Sequence, residues 1–517
     1  MSQALPHLPL GLSDFAKLRE SGANYLYVDK TRALAGMLQA GNYLFLARPR
    51  RFGKSLLCST IAALYAGRRD LFAGLAIEPD WDWSKTHPVA HLELTGVDAS
   101  SVESLRESLL KLLADQAHPY GIALTGRLLP SDFATLLRGI HAQTGRRVVV
   151  IVDEYEKPVH DHLDDMAEAR RMRDVLSSFY GAIKGCDAHL EKVFITGIGR
   201  MVRTSIFSEL NQMLDLTLTP EAAEICGYTE TELRACFQPF IGRLAEKNQL
   251  TEPQAWNTLQ DRYNGYWWGE GKKVYNPWAI LNSLRGGEFG SYWWSSGTPG
   301  MLIKLAETLR RPDGDLEGIQ ATDLSLLFDI TNPKPVPLLW QSGYLTVKAV
   351  GGQVYTLGFP NTEVREAWFG MMLERFCGAG DSDSQTSAAV MLGALRAGDR
   401  SRFEQALTAL FASIPGELQV EREAYYHSLF VVALQAAGGE LTPESRSDKG
   451  RVDAVLKTDA AIYIIEFKLG AAEDAMAQIK ARRYYEPYLA DPRPIVLLAA
   501  GGFAERAIRC LWEEFVR

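Results

Sequence analysis

Two carboxylates and a lysine toward the C-terminal end of this chain have the types and spacing for metal-assisted phosphodiester hydrolysis. Asp453 lies in the apolar run Val452-Asp-Ala-Val-Leu456, and Glu466 and Lys468 end the next one, Ile462-Tyr-Ile-Ile-Glu-Phe-Lys468. Residues two apart on a strand point to the same face, so Glu466 and Lys468 share one. Charges at the end of a buried strand are costly unless they meet a metal, a phosphate or one another. Carboxylate oxygens suit a hard ion such as Mg²⁺, with Mn²⁺ as a substitute. Such an ion activates water and polarises a phosphoryl group, while a lysine steadies the developing charge. Asp453 and Glu466 are therefore candidate metal ligands, and Lys468 is the candidate charge stabiliser. A plain acid–lysine pair at a sheet edge has the same spacing, so the surroundings must decide.

Those surroundings agree. Glu423 begins an apolar helical pattern, Glu423-Ala-Tyr-Tyr-His427, ahead of the first strand. Gln478 and Tyr484 sit on a helical pattern after the second. This set resembles the PD-(D/E)XK nuclease superfamily, with Val452 where the name has proline. The resemblance implies a restriction-endonuclease-like α/β fold with Asp453, Glu466 and Lys468 catalytic, Glu423 supporting the metal or the water, and Gln478 in support. His427 falls one turn after Glu423 on the same helix face, as a further ligand or a polar core contact. Arg446, Lys449 and Arg451, then Lys480, Arg482 and Arg483, either bind phosphates or are solvated surface charge.

A second chemical pattern lies near the N-terminus. The apolar run Asn42–Ala47 enters Arg48-Pro-Arg-Arg-Phe-Gly-Lys-Ser55 and then a helical pattern. Strand, loop, Gly-Lys-Ser and helix form a phosphate-binding arrangement, with loop amides and a helix N-terminus facing the phosphates. Arg50, Arg51, Phe52, Gly53, Lys54, Ser55 and Leu56 are the candidate ATP contacts. Lys54 would reach the β- and γ-phosphates, and the Ser55 hydroxyl would bind Mg²⁺. Arg48 stands where such a loop usually begins with glycine. The run Arg147–Val152 ends in Asp153 and Glu154, as suits a parallel strand covered on both faces. Asp153 would organise Mg²⁺ and Glu154 would be the base for the attacking water. Thr196 and Arg200, after the next apolar run, are candidate γ-phosphate contacts, and Arg203 is a similar candidate.

Arg48-Pro-Arg-Arg-Phe-Gly-Lys-Ser-Leu, Val152-Asp-Glu-Tyr-Glu-Lys-Pro, Cys226-Gly-Tyr-Thr and Tyr275-Asn-Pro-Trp resemble the AAA-ATPase-like bacterial family that carries a C-terminal PD-(D/E)XK domain. In that family the loop begins with Arg48-Pro-Arg-Arg-Phe. The fold expected is α/β: a P-loop NTPase parallel sheet, a helical and winged-helix-like middle region, and the restriction-endonuclease-like domain. The divisions expected are 1–218, 219–300, 301–377 and 378–517. In the third, Pro337–Trp368 reads as helix, strand, a Gly351-Gly352 hairpin, strand and helix. In related regulatory ATPases such a module packs on the nucleotide core. The N-terminal ~30 residues, with Ser13–Glu20 and Tyr27–Thr31, read as a lead-in to the ATPase core with an adenine-side contact, and Gly378–Ser384 as a linker. Trp267, Trp268, Trp293 and Trp294 read as core or interface ahead of base-stacking.

At 517 residues, with 47% hydrophobic and 23% charged residues, the chain is long enough for several globular domains. No apolar run approaches the ~20 residues of a membrane helix, and no signal-peptide pattern opens the sequence. Six scattered cysteines without a C-x-x-C pair fit a reducing cytoplasm and argue against a zinc site. A net charge of −8 neither advertises nor excludes nucleic acid, since local patches matter more. The expectation is an ATP-regulated, metal-dependent nuclease whose partner is nucleic acid, DNA before RNA. The alternative is a regulatory ATPase switch whose nuclease-like domain binds without cleaving. An arginine finger from a neighbouring copy would require a homo-oligomer.

Overall fold

The structure, a computed structural model, describes residues 5–199, 212–269, 273–293, 314–324, 334–377, 382–414, 423–447, 450–503 and 507–516. At 382, 383, 423, 424, 443–447, 450 and 451 the description is of backbone alone. The chain divides into two compact units, residues 1–305 with 317–361, and residues 306–316 with 362–517.

The first unit is built on a parallel sheet of β1 (Tyr43–Ala47), β2 (Val89–Glu93), β3 (Val148–Asp153), β4 (Leu190–Gly197) and β5 (Leu214–Asp215). Its order is β2-β3-β4-β1-β5. Every residue of β1 and β3 is buried, as unbroken apolar runs demand when helices cover both faces. Because β4 lies between β1 and β3, the register sets Leu46 beside Thr196 and Val152 beside Ile195. The functional ends of three strands therefore open on one crevice. A helical layer follows, Glu230–Lys247, Glu252–Tyr263 and Pro277–Gly286. Capping boxes at Thr229/Glu232 and Thr251/Gln254 fix the starts of its first two helices. Phe237, Ile241, Leu259 and Tyr263 pack there with Leu26 and Val28 of the lead-in. An antiparallel sheet follows, of β6 (Ile319–Ala321), β7 (Thr346–Gly351) and β8 (Val354–Gly358), ordered β6-β8-β7, with helix Pro335–Gln341 between β6 and β7 in the chain.

The second unit places helices Thr362–Cys377, Ser382–Ala397, Arg400–Ala412 and Glu423–Ala436 ahead of a five-stranded mixed sheet. Its strands are β9 (Leu441–Ser447), β10 (Gly450–Lys457), β11 (Ile462–Phe467), β12 (Ile495–Gly501) and β13 (Arg509–Phe515), ordered β13-β12-β11-β10-β9. Only β11 and β12 run parallel, joined through helix Ala472–Arg482. Val455, Ile464, Ile479 and Leu497 form the core beneath that helix. The expected linker Gly378–Ser384 is shorter in fact. Ser382–Ser384 already belong to a helix, where serine and aspartate are favoured in the first turn, and residues 378–381 lie outside the described residues.

Candidate functional sites

In the first unit the loop after β1 turns on two left-handed residues, Arg51 (φ 68°) and Gly53 (φ 91°). Gly53 caps helix Lys54–Tyr65 without a side chain, so the first amides of the helix face outward as an anion cradle. Lys54 is only 4% exposed, and its ammonium rests on the Pro49 carbonyl at 3.1 Å. Arg48 does not disrupt this loop; it is buried behind it. Its guanidinium donates to the carbonyls of Ala47 (2.7 Å), Thr217 (2.9 Å) and Ala222 (2.6 Å) and stacks 4.5 Å from the Trp268 ring. Three acceptors and an aromatic face offset the desolvation of the charge, and burial still pushes its pKa down to about 10. Phe52 packs edge-on against Tyr266 and Trp268, so its ring anchors the loop. Arg51 donates to the Tyr292 carbonyl at 2.9 Å and stacks on Trp278.

Opposite Lys54, Asp153 ends β3 with 1% exposure, and its Oδ1 meets no hydrogen-bond partner among the described residues. Glu154 follows with φ 52°, a strained conformation of order 1–3 kcal/mol for a non-glycine residue. Glu154 lines a cavity of about 270 Å³ together with Gly53, Lys54, Ser55 and Leu56. The cavity lining is apolar in part, with Leu12, Leu26, Val28, Tyr228, Pro277 and Trp278 contributing. Apolar lining, Lys54 in the same cavity, and the buried Asp153 carboxylate on the neighbouring strand have the chemistry for a nucleotide with a divalent ion. Thr196 Oγ1 donates to the Leu46 carbonyl at 2.7 Å, joining β4 to β1 at the crevice. Arg200 and Arg203 lie outside the described residues.

In the second unit Ala454 pairs with Ile465, so the next rung sets Asp453 beside Glu466. The two acids are cross-braced: the Phe467 amide donates to Asp453 Oδ2 at 2.8 Å, and the Asp453 amide donates to Glu466 Oε2 at 3.2 Å. Glu466 is 1% exposed; Gln478 donates to its Oε1, and Lys468 Nζ stands 3.9 Å from the same oxygen. His427 reaches the Asp453 carbonyl through Nε2 at 2.7 Å, so it braces β10 from the preceding helix. Tyr484 lies past the end of the helix expected to carry it. Arg483 ends that helix in a left-handed turn (φ 53°), which returns the tyrosine hydroxyl to 3.5 Å from Gln478. Glu423 opens helix Glu423–Ala436, and its side chain lies outside the described residues. So do the side chains of Arg446, Lys449 and Arg451. Lys480 is paired with Glu513 and Arg483 with Glu486. Among the described residues no group of three His, Cys, Asp or Glu side chains is set to hold a metal; Asp453 and Glu466 stand side by side on adjacent strands.

Sequence reasoning missed Glu156, which is fully buried at the end of β3. Its Oε1 accepts the amides of Ile198 and Gly199, and burial pushes its pKa up to about 7. An acid two residues beyond Glu154, opposite the glycine-rich Gly197-Ile-Gly199, was the signal for it.

Two units of this kind define an ATPase joined to a nuclease-like domain. A family profile described as predicted AAA-ATPase matches residues 9–207, and one for the PD-(D/E)XK nuclease superfamily matches residues 421–512. A curated protein of Azotobacter chroococcum mcd 1, the uncharacterized protein in the vnfD 5' region, is 36% identical over 504 residues, 95% of each chain. The chain belongs to the AAA-ATPase-like family and ends in a PD-(D/E)XK nuclease superfamily domain. No solved structure matches it. Among the described residues no helix is long and apolar enough to cross a membrane.

Proposed function

We propose that the protein binds ATP in the cavity at Lys54 and that ATP regulates a metal-dependent nuclease centred on Asp453 and Glu466. The observation that supports this reading most is the cross-braced set Asp453, Glu466, Lys468 and Gln478. Surface ion pairs do not need two acids in adjacent registers with one of them fully buried. Asp453 and Glu466 would hold Mg²⁺ or Mn²⁺, which supplies an activated water and a polarised phosphoryl oxygen. Lys468 steadies charge on the phosphate, Gln478 orients Glu466, and Glu423 supports the water. In the first unit Ser55 and Asp153 would hold the Mg²⁺ of ATP, Lys54 the phosphates, and Glu154 would accept the proton of the attacking water. Thr196 and Arg200 would contact the γ-phosphate. The substrate is nucleic acid, DNA before RNA, in the cytoplasm, and self-association would complete the ATP site if a neighbour lends an arginine.

The test is a cleavage assay on single- and double-stranded DNA and RNA, with Mg²⁺ or Mn²⁺, with and without ATP. Lys54→Ala should remove the ATP effect and Lys468→Ala the cleavage. Nucleic acid bound but never cut under any of these conditions sinks the nuclease reading and leaves a switch that binds without cleaving.

A further inference from the structure

Glu156 does more than fill space. One carboxylate oxygen accepts two consecutive amides, Ile198 and Gly199, in the loop that leaves β4. The other is buried and meets no partner among the described residues. A side chain on Gly197 would overlap this carboxylate, so the glycine is what allows the approach. The next residue back, Tyr155, grips the same loop from its other side: its hydroxyl donates to the Gly199 carbonyl at 2.9 Å. Gly199 is thus held by its amide and its carbonyl at once, from two successive residues at the end of β3.

The free face of Gly199 carries a further contact. Gln341, 4% exposed at the end of helix Pro335–Gln341, packs its amide where a Gly199 side chain would stand. Two residues on, Gly343 (φ 86°) packs on the Pro49 ring of the phosphate loop in the same way. The end of this helix therefore touches both loops that face the phosphates, the one after β1 and the one after β4. A Cβ on Gly199 would overlap the Gln341 amide, and one on Gly343 would press on Trp293 and Pro49, so both glycines sit in close packing through which the helix end feels movement of either loop.

We propose that Glu156 is a positioning residue of the ATP site: it locks the Gly197–Gly199 loop to the end of β3 and, through Gly199, links the phosphate end of the cavity to Gln341. The proposal rests on the ATP-binding reading above. Glu156 touches no phosphate itself. It holds Thr196 and Asp153 in common register, so that a ligand pulling on either strand end moves the loop as one piece with Gln341. Such a chain of packed groups carries coupling only if both ends bias it, which an experiment can establish.

The experiment uses the full chain, fluorescent-ATP titration for affinity, and hydrogen exchange by mass spectrometry with and without ATP. In the wild type, ATP should slow exchange in peptides covering Ile195–Gly199 and Pro335–Tyr344 by about fivefold or more. In Glu156→Ala, at an ATP concentration that saturates the variant, the response at Pro335–Tyr344 should disappear. Glu156→Gln retains an oxygen that can accept both amides and should restore that response. Gln341→Ala should lose the response at Pro335–Tyr344 and keep it at Ile195–Gly199, which tests the link even where Glu156→Ala does not fold. The proposal is overturned if Glu156→Ala keeps the response, if Glu156→Gln does no better than alanine, or if Gln341→Ala changes nothing. Wild-type protein that fails to bind ATP overturns the proposed function and this link together, whereas binding with a response independent of Glu156 overturns the link alone.

Discussion

The two candidate sites handle charge in opposite ways. At the end of β10 and β11 the charged groups satisfy one another: Asp453 and Glu466 accept each other's strand amides, Gln478 braces Glu466, and Lys468 stands beside it. At the end of β1, β3 and β4 they do not. Lys54 leans on a carbonyl, and among the described residues one oxygen of Asp153 and one of Glu156 meet no partner. A buried polar group without a partner costs about 1–3 kcal/mol. The first unit therefore carries a cost of which the proposed nucleotide and its ion would relieve the share at Asp153, while in the second the charged groups already meet one another. The difference suits a regulator whose site changes on binding and an effector whose site is ready.

The largest test of that contrast is Asp453→Ala. It removes a carboxylate from the proposed metal-binding pair, and cleavage in Mg²⁺ should fall by about 10³-fold or more. ATP affinity, measured by fluorescent-nucleotide titration, should not change. Residual cleavage within tenfold of wild type would place the chemistry elsewhere and remove the claim that this site is preassembled.

The second site was more legible in the sequence than the first, for a physical reason. Its residues lie on neighbouring antiparallel strands, where side chains alternate by two and register follows from one short turn. Asp453, Glu466 and Lys468 could be placed from periodicity alone. Tyr484 escaped because a left-handed Arg483 ended the helix early. In the first unit the glycine–lysine–serine turn and the acid-tipped strand were readable, yet the partners that shape them are far along the chain. Arg48 looks like a defect until its acceptors at Thr217 and Ala222 are known, and Glu156 looks like surface charge until Ile198 and Gly199 fold over it. Local pattern carries no information about contacts of that range.

The next effect concerns pH. Burial, opposed by the Ile198 amide, its own amide and Lys54 and assisted by the charge of Glu154, raises Glu156 from its ordinary 4.5 to about 7; Tyr180 also faces it. Between those values the folded protein keeps a proton that the unfolded chain gives up. The stabilisation is complete below about pH 4.5 and is lost as pH rises through 7, by about 3 kcal/mol. Urea unfolding of the first unit at pH 5 and pH 8 should show that fall, and Glu156→Gln should flatten it. An unchanged slope in the glutamine variant would mean that the carboxyl is solvated and that the first site is not under strain.

Smaller again is Lys54→Met. It keeps the aliphatic stem and deletes the ammonium, so the loss is that of a charge-assisted contact to phosphate, about 2 kcal/mol or roughly thirtyfold in ATP affinity. Because Lys54 meets a carbonyl alone among the described residues, the variant should melt within a few degrees of wild type in the absence of ATP. A large fall in that melting temperature would show Lys54 to be a structural cation, which would make the first site resemble the second.

The finest distinction lies within the nuclease-like site, between Gln478 and the residue behind it. Gln478 donates directly to the buried Glu466, and Gln478→Ala leaves that oxygen short of a partner; supporting residues of this kind are worth about 10–100-fold in metal affinity or rate. Among the described residues, Tyr484 meets the site through Gln478, at a long 3.5 Å. Tyr484→Phe keeps the buried ring and removes the hydroxyl, so it should cost less than about threefold, near the lower limit for a neutral hydrogen bond. Cleavage rates against Mg²⁺ concentration separate the two roles. Gln478→Ala should shift the metal midpoint, whereas Tyr484→Phe should leave it in place. If the tyrosine variant lost as much as the glutamine variant, its hydroxyl would be acting on substrate directly rather than through Gln478. The site would then be only partly assembled before substrate arrives, which is the property that sets it apart from the ATP cavity.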